Sequence, residues 1–582
     1  MNRLIDTARE WAEADCDSAD RAAILQLIDK SDESSLASSF GGQLAFGTAG
    51  LRAVVGPGPL RMNRAVVRRT TRAVAEHLLA RNPDARTQPV VVGYDGRLSS
   101  KAFARETVGA MVAAGIPVRY FEEPVATPLV AFALRRYKAT AAIVITASHN
   151  PPEYNGYKLY AANGAQIISP TDEEIAGLIE KLGPAKDIAV VEDALDGGSE
   201  LAEPVAASVV DAYFRAVDGL RANLPDPGNA QARDIGIVYS AMHGVGYRPV
   251  KRALETAGFT GLIPVPEQIE PDGNFPTVRF PNPEEKGALD MALAQAKKHG
   301  AQVILANDPD VDRLAACVKM PSSAPDAGEF RTLTGNQIGL LLADYLLQGY
   351  QREARPLVVQ SIVSSPMLRT IAESYGARFE QTLTGFKWVW NAALQLREQE
   401  DLHFVFGFEE ALGYSAEDIV RDKDGVSAAM LFAELVATEH ARGASVAERL
   451  AGLYQKHGLW VSLQHSLTLP GAEGVTRIAG AIEKLAKDPP KRIGSFDVSE
   501  LVDFRSGGEQ RPVWLKNTKL LEFRLGERGR VLVRPSGTEP KLKFYVDLCL
   551  PVAEGANVWH DEAPALAQAQ AAASDLVALA GL

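Results

Sequence analysis

The chain has 582 residues, of which 46% are hydrophobic and 23% are charged, and its formal net charge is -12. This composition is typical of a soluble globular protein with several domains, because one domain usually takes roughly 100–200 residues. The negative charge excludes a global basic surface for nucleic acid, but it allows a local basic pocket for an anionic substrate.

The cysteines and the N-terminal segment exclude further kinds of protein. Cys16, Cys317 and Cys549 are far apart, which predicts neither a disulfide framework nor a thiolate zinc site. Residues 1–15 mix charged and apolar residues and predict an amphipathic helix, not a signal peptide. No apolar run approaches the roughly 18 residues of a membrane-spanning helix. We therefore expect a cytoplasmic protein with no nucleic-acid or membrane partner.

The N-terminal half predicts alternating helices and strands. Residues 1–40 predict a helical arm that ends in a serine-rich stretch, and helices are predicted over 64–82 and 99–115. Short β-branched runs predict buried strands at 89–95, 116–121 and 139–147. Such alternation is typical of an α/β fold with a parallel or mixed sheet.

The same pattern of a strand that runs into a polar loop recurs further along the chain. The predicted segments are 234–244, 301–315, 355–365 and 403–414, with a helix over 247–258 after the first. Such folds place ligands outside the carboxyl ends of the strands. Residues 513–550 differ, because they predict several short strands, which an alanine-rich helix over 564–580 closes. This last part predicts a separate α+β domain.

The loop TASHNPPEYNGYK (146–158) directly follows a predicted buried strand and contains a nucleophile candidate, Ser148. A serine hydroxyl needs a base or a metal, and His149 and Lys158 are near in sequence. A Ser-His pair alone favours a plain turn, because nucleophile and base must meet in space. The Asn-Pro-Pro and Asn-Gly pairs predict tight turns.

The segment NDPDVDRLA (307–315) ends another predicted strand with alternating aspartates, Asp308, Asp310 and Asp312. Three carboxylates so close repel one another unless a cation lies between them, and hard oxygen ligands favour Mg²⁺ or Ca²⁺. The alternative is a solvated acidic turn. An EF-hand is excluded because its glycine and terminal glutamate are missing. The next residue, Arg313, could pair with a phosphate.

Two later loops carry further candidates. GFEEALGY (407–414) offers Glu409 and Glu410 for sugar hydroxyls, or else begins a helix with acidic residues in its first turn. RPSGTEPKLKFY (534–545) has the composition of a phosphate cradle, or else forms a simple β-turn. The cradle residues are Arg534, Ser536, Gly537 and Thr538.

Basic residues in three more loops fit an anion-binding site, although each alone favours a solvated charge. They are Arg52 in TAGLR (48–52), Lys387 in TGFK (384–387), and Arg421 and Lys423 in VRDKDG (420–425). Together and in this order, the loops from residue 48 to residue 545 resemble those of the α-D-phosphohexomutase superfamily. TASHNP resembles its phosphoserine loop, DPDVDR its metal loop, GFEEALGY its sugar-selecting loop and RPSGTEPK its phosphate-binding loop.

The resemblance implies an α/β fold of four domains around a central cleft. Three similar α/β domains with mixed sheets would precede a C-terminal α+β domain. We expect domain I over 1–220 with the helical arm at 1–40, domain II over 221–330, domain III over 331–458 and domain IV over 459–582. These would carry the phosphoserine, metal, sugar and phosphate loops respectively, in a monomer or a homodimer.

The resemblance also implies residue roles. Ser148 would carry the phosphoryl group, and it would bind Mg²⁺ together with Asp308, Asp310 and Asp312. Arg52, His149 and Lys158 would complete the catalytic set, and which of the last two is the base stays open. Arg313, Thr384, Gly385, Lys387, Glu409, Lys423, Arg534, Ser536, Gly537 and Thr538 would bind the substrate.

The chain length and the GFEEALGY wording resemble the branch of bacterial phosphoglucomutases and phosphopentomutase-like proteins. The phosphomannomutase branch typically has GEMSGH at that loop, which this chain lacks. The implied activity is interconversion of glucose 1-phosphate and glucose 6-phosphate, with glucose 1,6-bisphosphate as intermediate and activator. Phosphopentomutase, phosphomannomutase or glucose 1,6-bisphosphate synthase activity on the same scaffold stays open. A non-catalytic phosphosugar-binding protein and a calcium-binding structural protein fit the set of loops less well.

Overall fold

The computed structural model describes residues 2–47, 50–225, 230–536 and 541–582. The chain divides into two compact units, which are described separately below. The first unit is Met1–Arg221, Gly236–Leu314 and Gly413–Met430. The second unit is Ala222–Ile235, Ala315–Leu412 and Leu431–Leu582. No described helix is both long and apolar enough to cross a membrane.

The elements up to the acidic segment alternate between helices and short strands. In chain order they are α1 (Asn2–Ala14), α2 (Ser18–Asp29), α3 (Glu33–Phe40), β1 (Leu51–Val54), α4 (Arg64–Arg81), β2 (Val90–Tyr94), α5 (Ser100–Ala113), β3 (Val118–Tyr120), α6 (Thr127–Arg136), β4 (Ala141–Ile145), β5 (Tyr154–Ala161), α7 (Thr171–Lys181), β6 (Ala202–Pro204), α8 (Ala207–Gly219), β7 (Ile237–Ser240), α9 (Tyr247–Thr256), β8 (Leu262–Pro264), α10 (Asp290–His299) and β9 (Val303–Ala306).

The remaining elements end in a strand-rich part and a long helix. They are β10 (Ala315–Lys319), β11 (Phe330–Thr332), α11 (Gly335–Gln348), β12 (Arg355–Ser361), α12 (Met367–Ser374), β13 (Arg378–Thr382), α13 (Phe386–Gln399), β14 (Leu402–Glu409), β15 (Gly413–Ala416), α14 (Gly425–Ala441), α15 (Val446–His457), β16 (Leu459–Thr468), α16 (Gly471–Lys487), β17 (Arg492–Ile493), β18 (Phe496–Asp497), β19 (Glu500–Asp503), β20 (Leu521–Arg524), β21 (Gly529–Pro535), β22 (Lys541–Leu550) and α17 (Val558–Ala580).

A six-stranded mixed sheet forms the centre of the first unit, in the order β1-β5-β4-β2-β3-β6. Strands β4, β2, β3 and β6 are parallel, and β5 is antiparallel to both β4 and β1. Every residue of β2 and β4 is buried, as continuous apolar runs covered on both faces require. The three strands predicted here from sequence are confirmed, and Ser148 lies three residues beyond the end of β4.

One local prediction in this sheet is wrong. Asn155 and Gly156 were expected to form a tight turn, but both lie inside β5. A Cβ atom on Gly156 would lie 2.5 Å from the carbonyl oxygen of Leu51 and 2.6 Å from that of Thr146. Glycine is therefore needed here for close approach of neighbouring strands, not for a turn.

The first unit also contains the parallel strands β8, β7 and β9, in which β7 is central. All four residues of β7 and all four of β9 are buried. Asp308 lies two residues after the end of β9, at the carboxyl edge of these strands. In the N-terminal arm, helices α1–α3 enclose a small apolar cluster, which confirms the predicted helical character of residues 1–40.

In the second unit, parallel strand β12 pairs with both β13 and β14. The last residue of β14 is Glu409, which is followed by a turn. The alternative that the two glutamates begin a helix is therefore wrong. The C-terminal strands form an antiparallel sheet in the order β16-β22-β21-β20-β19, and α17 packs on β16 and β22. This confirms the predicted α+β character of the last part of the chain.

The C-terminal sheet packs tightly on the loop that follows β12. Ile362 and Val363 from that loop join Leu532 and Tyr545 from the sheet in one buried apolar cluster. The guanidinium of Arg530 donates to the carbonyl oxygen of Ser364 at 2.7 Å. These contacts make the C-terminal sheet and the β12–β14 layer one packed body.

Candidate active site

The loop around Ser148 has a backbone conformation that its neighbours fix. Ser148 has a φ of +52°, which is uncommon for a residue with a side chain. Its backbone N–H donates to Thr146 Oγ1 at 2.9 Å, and the Thr146 hydroxyl donates to Asp95 Oδ2 at 2.7 Å. The side chains that directly follow two adjacent parallel strands, β4 and β2, therefore set the direction in which Ser148 points.

A buried arginine donates hydrogen bonds to several backbone carbonyl oxygens around the same loop. The guanidinium of Arg97 donates to the carbonyl oxygens of Ser148 and Pro151, both at 2.7 Å, of Tyr154 at 3.0 Å, and of Asn150. Its Nε lies 3.2 Å from Asp95 Oδ2. We did not single out Asp95 and Arg97 from sequence. The available signal was an Asp-Gly-Arg directly after a strand predicted to be buried.

The side chain of Ser148 reaches the acidic segment. Ser148 Oγ donates to Asp308 Oδ2 at 2.6 Å, and it lies 3.2 Å from His149 Nδ1. Ser148 and Asp308 are both almost completely buried. Burial lowers the pKa of His149 well below its usual value, and the positive charges of Arg313 and Arg52 lower it further. His149 is therefore a neutral imidazole at this hydroxyl.

Asp308, Asp310 and Asp312 form one buried cluster, with a carboxylate oxygen from each within 4.8 Å of the others. Burial, and then the charges of Asp310 and Asp312, raise the pKa of Asp308 well above its usual value. Asp310 Oδ1 and Asp312 Oδ1 are buried and have no hydrogen-bond partner in the described part of the chain. Unpartnered buried carboxylate oxygens fit a hard cation such as Mg²⁺. The alternative of a solvated acidic turn is wrong.

The backbone of the acidic segment contains one strained residue, and hydrogen bonds from neighbouring residues stabilise it. Val311 has a φ of +63°, a conformation that β-branched residues rarely adopt. The N–H of Val311 donates to the carbonyl oxygen of Asp308, and the N–H of Gly425 donates to that of Val311, both at 3.0 Å. Thr127 Oγ1 donates to Asp310 Oδ2 at 2.8 Å. These contacts turn all three carboxylates toward one point.

Lysines flank this cluster. Lys158, fully buried on β5, donates to Asp310 Oδ2 at 2.6 Å and to Asp312 Oδ2 at 2.7 Å. Burial would lower the pKa of Lys158, but the two carboxylates overcome this and raise it. Lys423 Nζ lies 3.2 Å from Asp312 Oδ2. Lys158 is therefore an ammonium donor here, and Lys423 forms an ion pair with the same carboxylate oxygen of Asp312.

Two arginines complete the set of candidate site residues in the first unit. Arg52 donates to Asn150 Oδ1 at 3.3 Å, and its buried Nε has no hydrogen-bond partner among the described residues. The backbone N–H of Arg313 donates to Asp308 Oδ1 at 3.0 Å, and its guanidinium lies 3.4 Å from Glu284 Oε2. The structure thus brings Arg52, Arg313 and the two lysines close to Ser148 and the acidic cluster. Arg421, another basic candidate of this unit, lies elsewhere, since its guanidinium pairs with Asp418 and donates to the carbonyl oxygen of Asn163.

The second unit carries the sugar-loop candidates. Glu409 Oε1 accepts a hydrogen bond at 2.7 Å from the backbone N–H of Gly385, whose φ is +118°. Thr384 precedes that glycine, and Lys387 lies in the first turn of α13. Glu410 has a different position, since its Oε2 accepts from Ser361 at 2.8 Å and from Ser364 at 3.2 Å.

The phosphate-cradle candidates lie at the end of β21 and just beyond it. Arg534 and Ser536 are both partly exposed, and the N–H of Ser536 donates to the carbonyl oxygen of Lys541 at 2.8 Å. Gly537 and Thr538 lie outside the described residues.

Four domain models of one family match this chain in sequence. They describe phosphoglucomutase/phosphomannomutase α/β/α domains I, II and III and the C-terminal domain. The matched residues are 43–186, 211–320, 334–457 and 496–565. These four matches confirm the predicted α/β fold of four domains.

Curated relatives match over most of the chain. The phosphopentomutase of Homo sapiens is 36% identical over 573 residues, which cover 94% of this chain and 92% of that protein. The probable phosphomannomutase of Haemophilus influenzae is 40% identical over 493 residues, or 84% of this chain and 93% of that protein.

The fold also matches a solved structure, the open form of the exocytosis-sensitive phosphoprotein pp63/parafusin, a phosphoglucomutase, from Paramecium. The TM-score is 0.67 at 18% identity, with 93% of this chain and 97% of that one covered. At this identity the match supports the fold alone.

Proposed function

The chain belongs to the phosphoglucomutase and phosphomannomutase family of intramolecular phosphotransferases, and on that premise we propose that it is a mutase that carries its phosphoryl group on Ser148. The observation that carries this proposal is the 2.6 Å hydrogen bond from Ser148 Oγ to Asp308, a member of the buried acidic cluster. A serine beside a cation site suits a stored phosphate better than an acyl group. The family assignment confirms the resemblance seen in the sequence.

Asp308, Asp310 and Asp312, together with phosphorylated Ser148, would hold Mg²⁺. When bound, this ion neutralises charge on the phosphoryl oxygens, which is the main requirement of phosphoryl transfer. The unpartnered carboxylate oxygens of Asp310 and Asp312 supply ligands of the right chemistry. Arg52 has a buried guanidinium Nε that can donate to a phosphoryl oxygen.

Proton transfer falls to His149 and Lys158. His149 is neutral and lies beside Ser148 Oγ, so it can accept a proton near the reacting oxygen. Lys158 is an ammonium and can donate one. Substrate binding falls to Arg313 and Lys423 in the first unit and to the Thr384–Lys387, Glu409 and Arg534–Thr538 loops in the second.

The proposed reaction has two phosphoryl transfers. The phosphoryl group of phosphorylated Ser148 passes to the free O6 hydroxyl of glucose 1-phosphate, which gives Ser148 and glucose 1,6-bisphosphate. After the intermediate turns over in the site, the phosphoryl group on O1 passes back to Ser148. In the first transfer the O6 hydroxyl gives up its proton and Ser148 Oγ takes one up; in the second, Ser148 Oγ gives up its proton and O1 takes one up. Glucose 6-phosphate leaves and the phosphoserine is restored.

A second candidate substrate is a pentose phosphate. It is favoured by the name of the human relative, phosphopentomutase, which matches over 94% of this chain. The same mechanism would then exchange the phosphoryl group between O1 and O5 of ribose. A related protein named glucose 1,6-bisphosphate synthase, 32% identical over 570 residues, adds bisphosphate formation as a third activity to measure.

A substrate panel separates these candidates. With added Mg²⁺ and a bisphosphate primer, kcat/KM is measured on glucose 1-phosphate, ribose 1-phosphate and mannose 1-phosphate. The proposal predicts the highest value on glucose 1-phosphate. A higher value on ribose 1-phosphate would make the pentose phosphate the preferred substrate without changing the mechanism. No turnover of any sugar phosphate would overturn the proposed function.

A further inference from the structure

The buried carboxylate of Asp422, next to Lys423 in the chain, is linked to strand β5. Asp422 Oδ2 accepts a hydrogen bond from the Tyr160 hydroxyl at 2.6 Å and another from Gln166 Nε2 at 2.7 Å. Asp422 Oδ1 accepts from the backbone N–H of Lys423 at 2.8 Å and lies 3.4 Å from Lys423 Nζ. Asp422 and Tyr160 are almost completely buried.

The second carboxylate at Lys423 belongs to the acidic cluster. Lys423 Nζ lies 3.2 Å from Asp312 Oδ2, so the ammonium group sits between Asp312 and Asp422. Its aliphatic stem passes over Gly413, where a Cβ atom would lie 2.3 Å from Lys423 Cδ. A long lysine side chain loses conformational entropy when it is fixed, so these contacts are needed to hold it in one place.

Strand β5 carries the two side chains that donate hydrogen bonds to the carboxylates on either side of Lys423. Lys158 and Tyr160 are two residues apart, and they therefore lie on the same face of the strand. Lys158 donates to Asp310 and Asp312, while Tyr160 donates to Asp422. One strand face thus fixes the carboxylates on both sides of Lys423.

We propose that Tyr160 and Asp422 form a positioning pair that fixes the Lys423 ammonium group for the phosphosugar. Without the Tyr160 hydroxyl, the buried carboxylate of Asp422 lacks one donor. Since Lys423 is the nearest cation, it moves toward Asp422 and away from Asp312. This inference rests on the proposed function, in which Lys423 contacts the substrate.

A double-mutant cycle tests whether Tyr160 acts through Lys423. Wild type, Tyr160→Phe, Lys423→Met and the double variant are assayed on the best sugar of the panel. Tyr160→Phe should raise KM about five- to tenfold in the wild-type background, as expected for loss of a hydrogen bond to a charged group, and leave kcat nearly unchanged. In the Lys423→Met background the same change should alter KM by less than about twofold.

Tyr157→Phe is the matched control. Tyr157 lies on the opposite face of β5, it is fully buried, and its hydroxyl lies 3.3 Å from Thr71 Oγ1. This control should leave KM unchanged. Equal increases in KM from Tyr160→Phe in both Lys423 backgrounds, or an equal increase from Tyr157→Phe, would mean that Tyr160 acts only on stability, which overturns the proposal.

A crystal structure of the Tyr160→Phe variant gives an answer that does not depend on activity. Lys423 Nζ should move away from Asp312 Oδ2 by about 1 Å or more, a shift large enough to weaken a preorganised site. An unchanged position would overturn the inference. If wild type turns over no sugar phosphate, the proposed function fails by itself, and the crystal structure alone decides whether Tyr160 and Asp422 position Lys423.

Discussion

The loops around Ser148 and those around Glu409 and Arg534 are built in different ways. In the first unit, Ser148, Lys158 and the three aspartates are buried, and several side chains fix each loop. In the second unit, Glu409 is buried, but Thr384, Lys387, Arg534 and Ser536 are partly exposed. The difference suggests that phosphoryl chemistry demands a rigid, dry cluster, whereas sugar and phosphate recognition tolerates more open loops.

The largest expected effect comes from removal of the proposed phosphoryl carrier. Ser148→Ala should lower mutase turnover by about 10³-fold or more, because the transferred group has no other attachment point. The assay includes added bisphosphate primer and Mg²⁺. Ser495→Ala, at an exposed position, serves as the control and should be fully active. Full activity of Ser148→Ala would show that Ser148 and the acidic cluster take no part in the reaction.

The next largest effect concerns the acidic cluster. Asp308→Asn should lower turnover by about 10²-fold or more, because it removes one carboxylate ligand. Since burial, and then the neighbouring carboxylates, raise the pKa of Asp308 and disfavour its charged form, the variant should unfold at a temperature no lower than wild type without metal. Added Mg²⁺ should raise the unfolding temperature of wild type more than that of the variant. A variant that Mg²⁺ stabilises as much as wild type would contradict a cation site here.

A smaller effect tests whether the rigidity of the Ser148 loop matters. Arg97→Lys keeps the positive charge but cannot reach four carbonyl oxygens together. A displaced Ser148 should lower kcat by about 10²-fold, as a shift near 1 Å can do. The control is Arg105→Lys, since Arg105 forms an exposed ion pair with Asp196 that contributes little. Equal kcat values for both variants would show that loop rigidity is unimportant.

The smallest effect is expected in the second unit. Glu409→Gln should raise KM by about tenfold with little change in kcat, because it weakens ground-state and transition-state binding alike. The control is Glu373→Gln, at an exposed position of α12. If Glu409→Gln lowered kcat as much as Arg97→Lys does, the proposed difference between the two groups of loops would be wrong.

Local patterns predicted the strands that carry the site but not the long-range contacts that shape it. The run that ends before Ser148 is continuously apolar and β-branched, so β4 was predictable from sequence. Asp95, Thr127 and Asp422 were not singled out, because each has a hydrogen-bond partner more than fifty positions away. These partners are Thr146, Asp310 and Tyr160, respectively. No local rule encodes such pairings.

Strand β5 shows the opposite error, in which a local rule misled. The Asn-Gly pair inside it is typical of turns, yet pairing with β1 and β4 overrides that preference. As a result, Lys158 and Tyr160 had no predicted common face. Recognition of the strand would have placed both side chains toward the acidic cluster.

The most direct test of Ser148 as the phosphoryl carrier is mass spectrometry of the purified protein. The protein is incubated with glucose 1,6-bisphosphate and Mg²⁺, and the modified peptide is then sequenced. We predict one phosphate on Ser148, which is lost to the sugar when excess unprimed glucose 1-phosphate is added. Sustained mutase turnover with no phosphate on Ser148, or with the phosphate on another residue, would contradict the account.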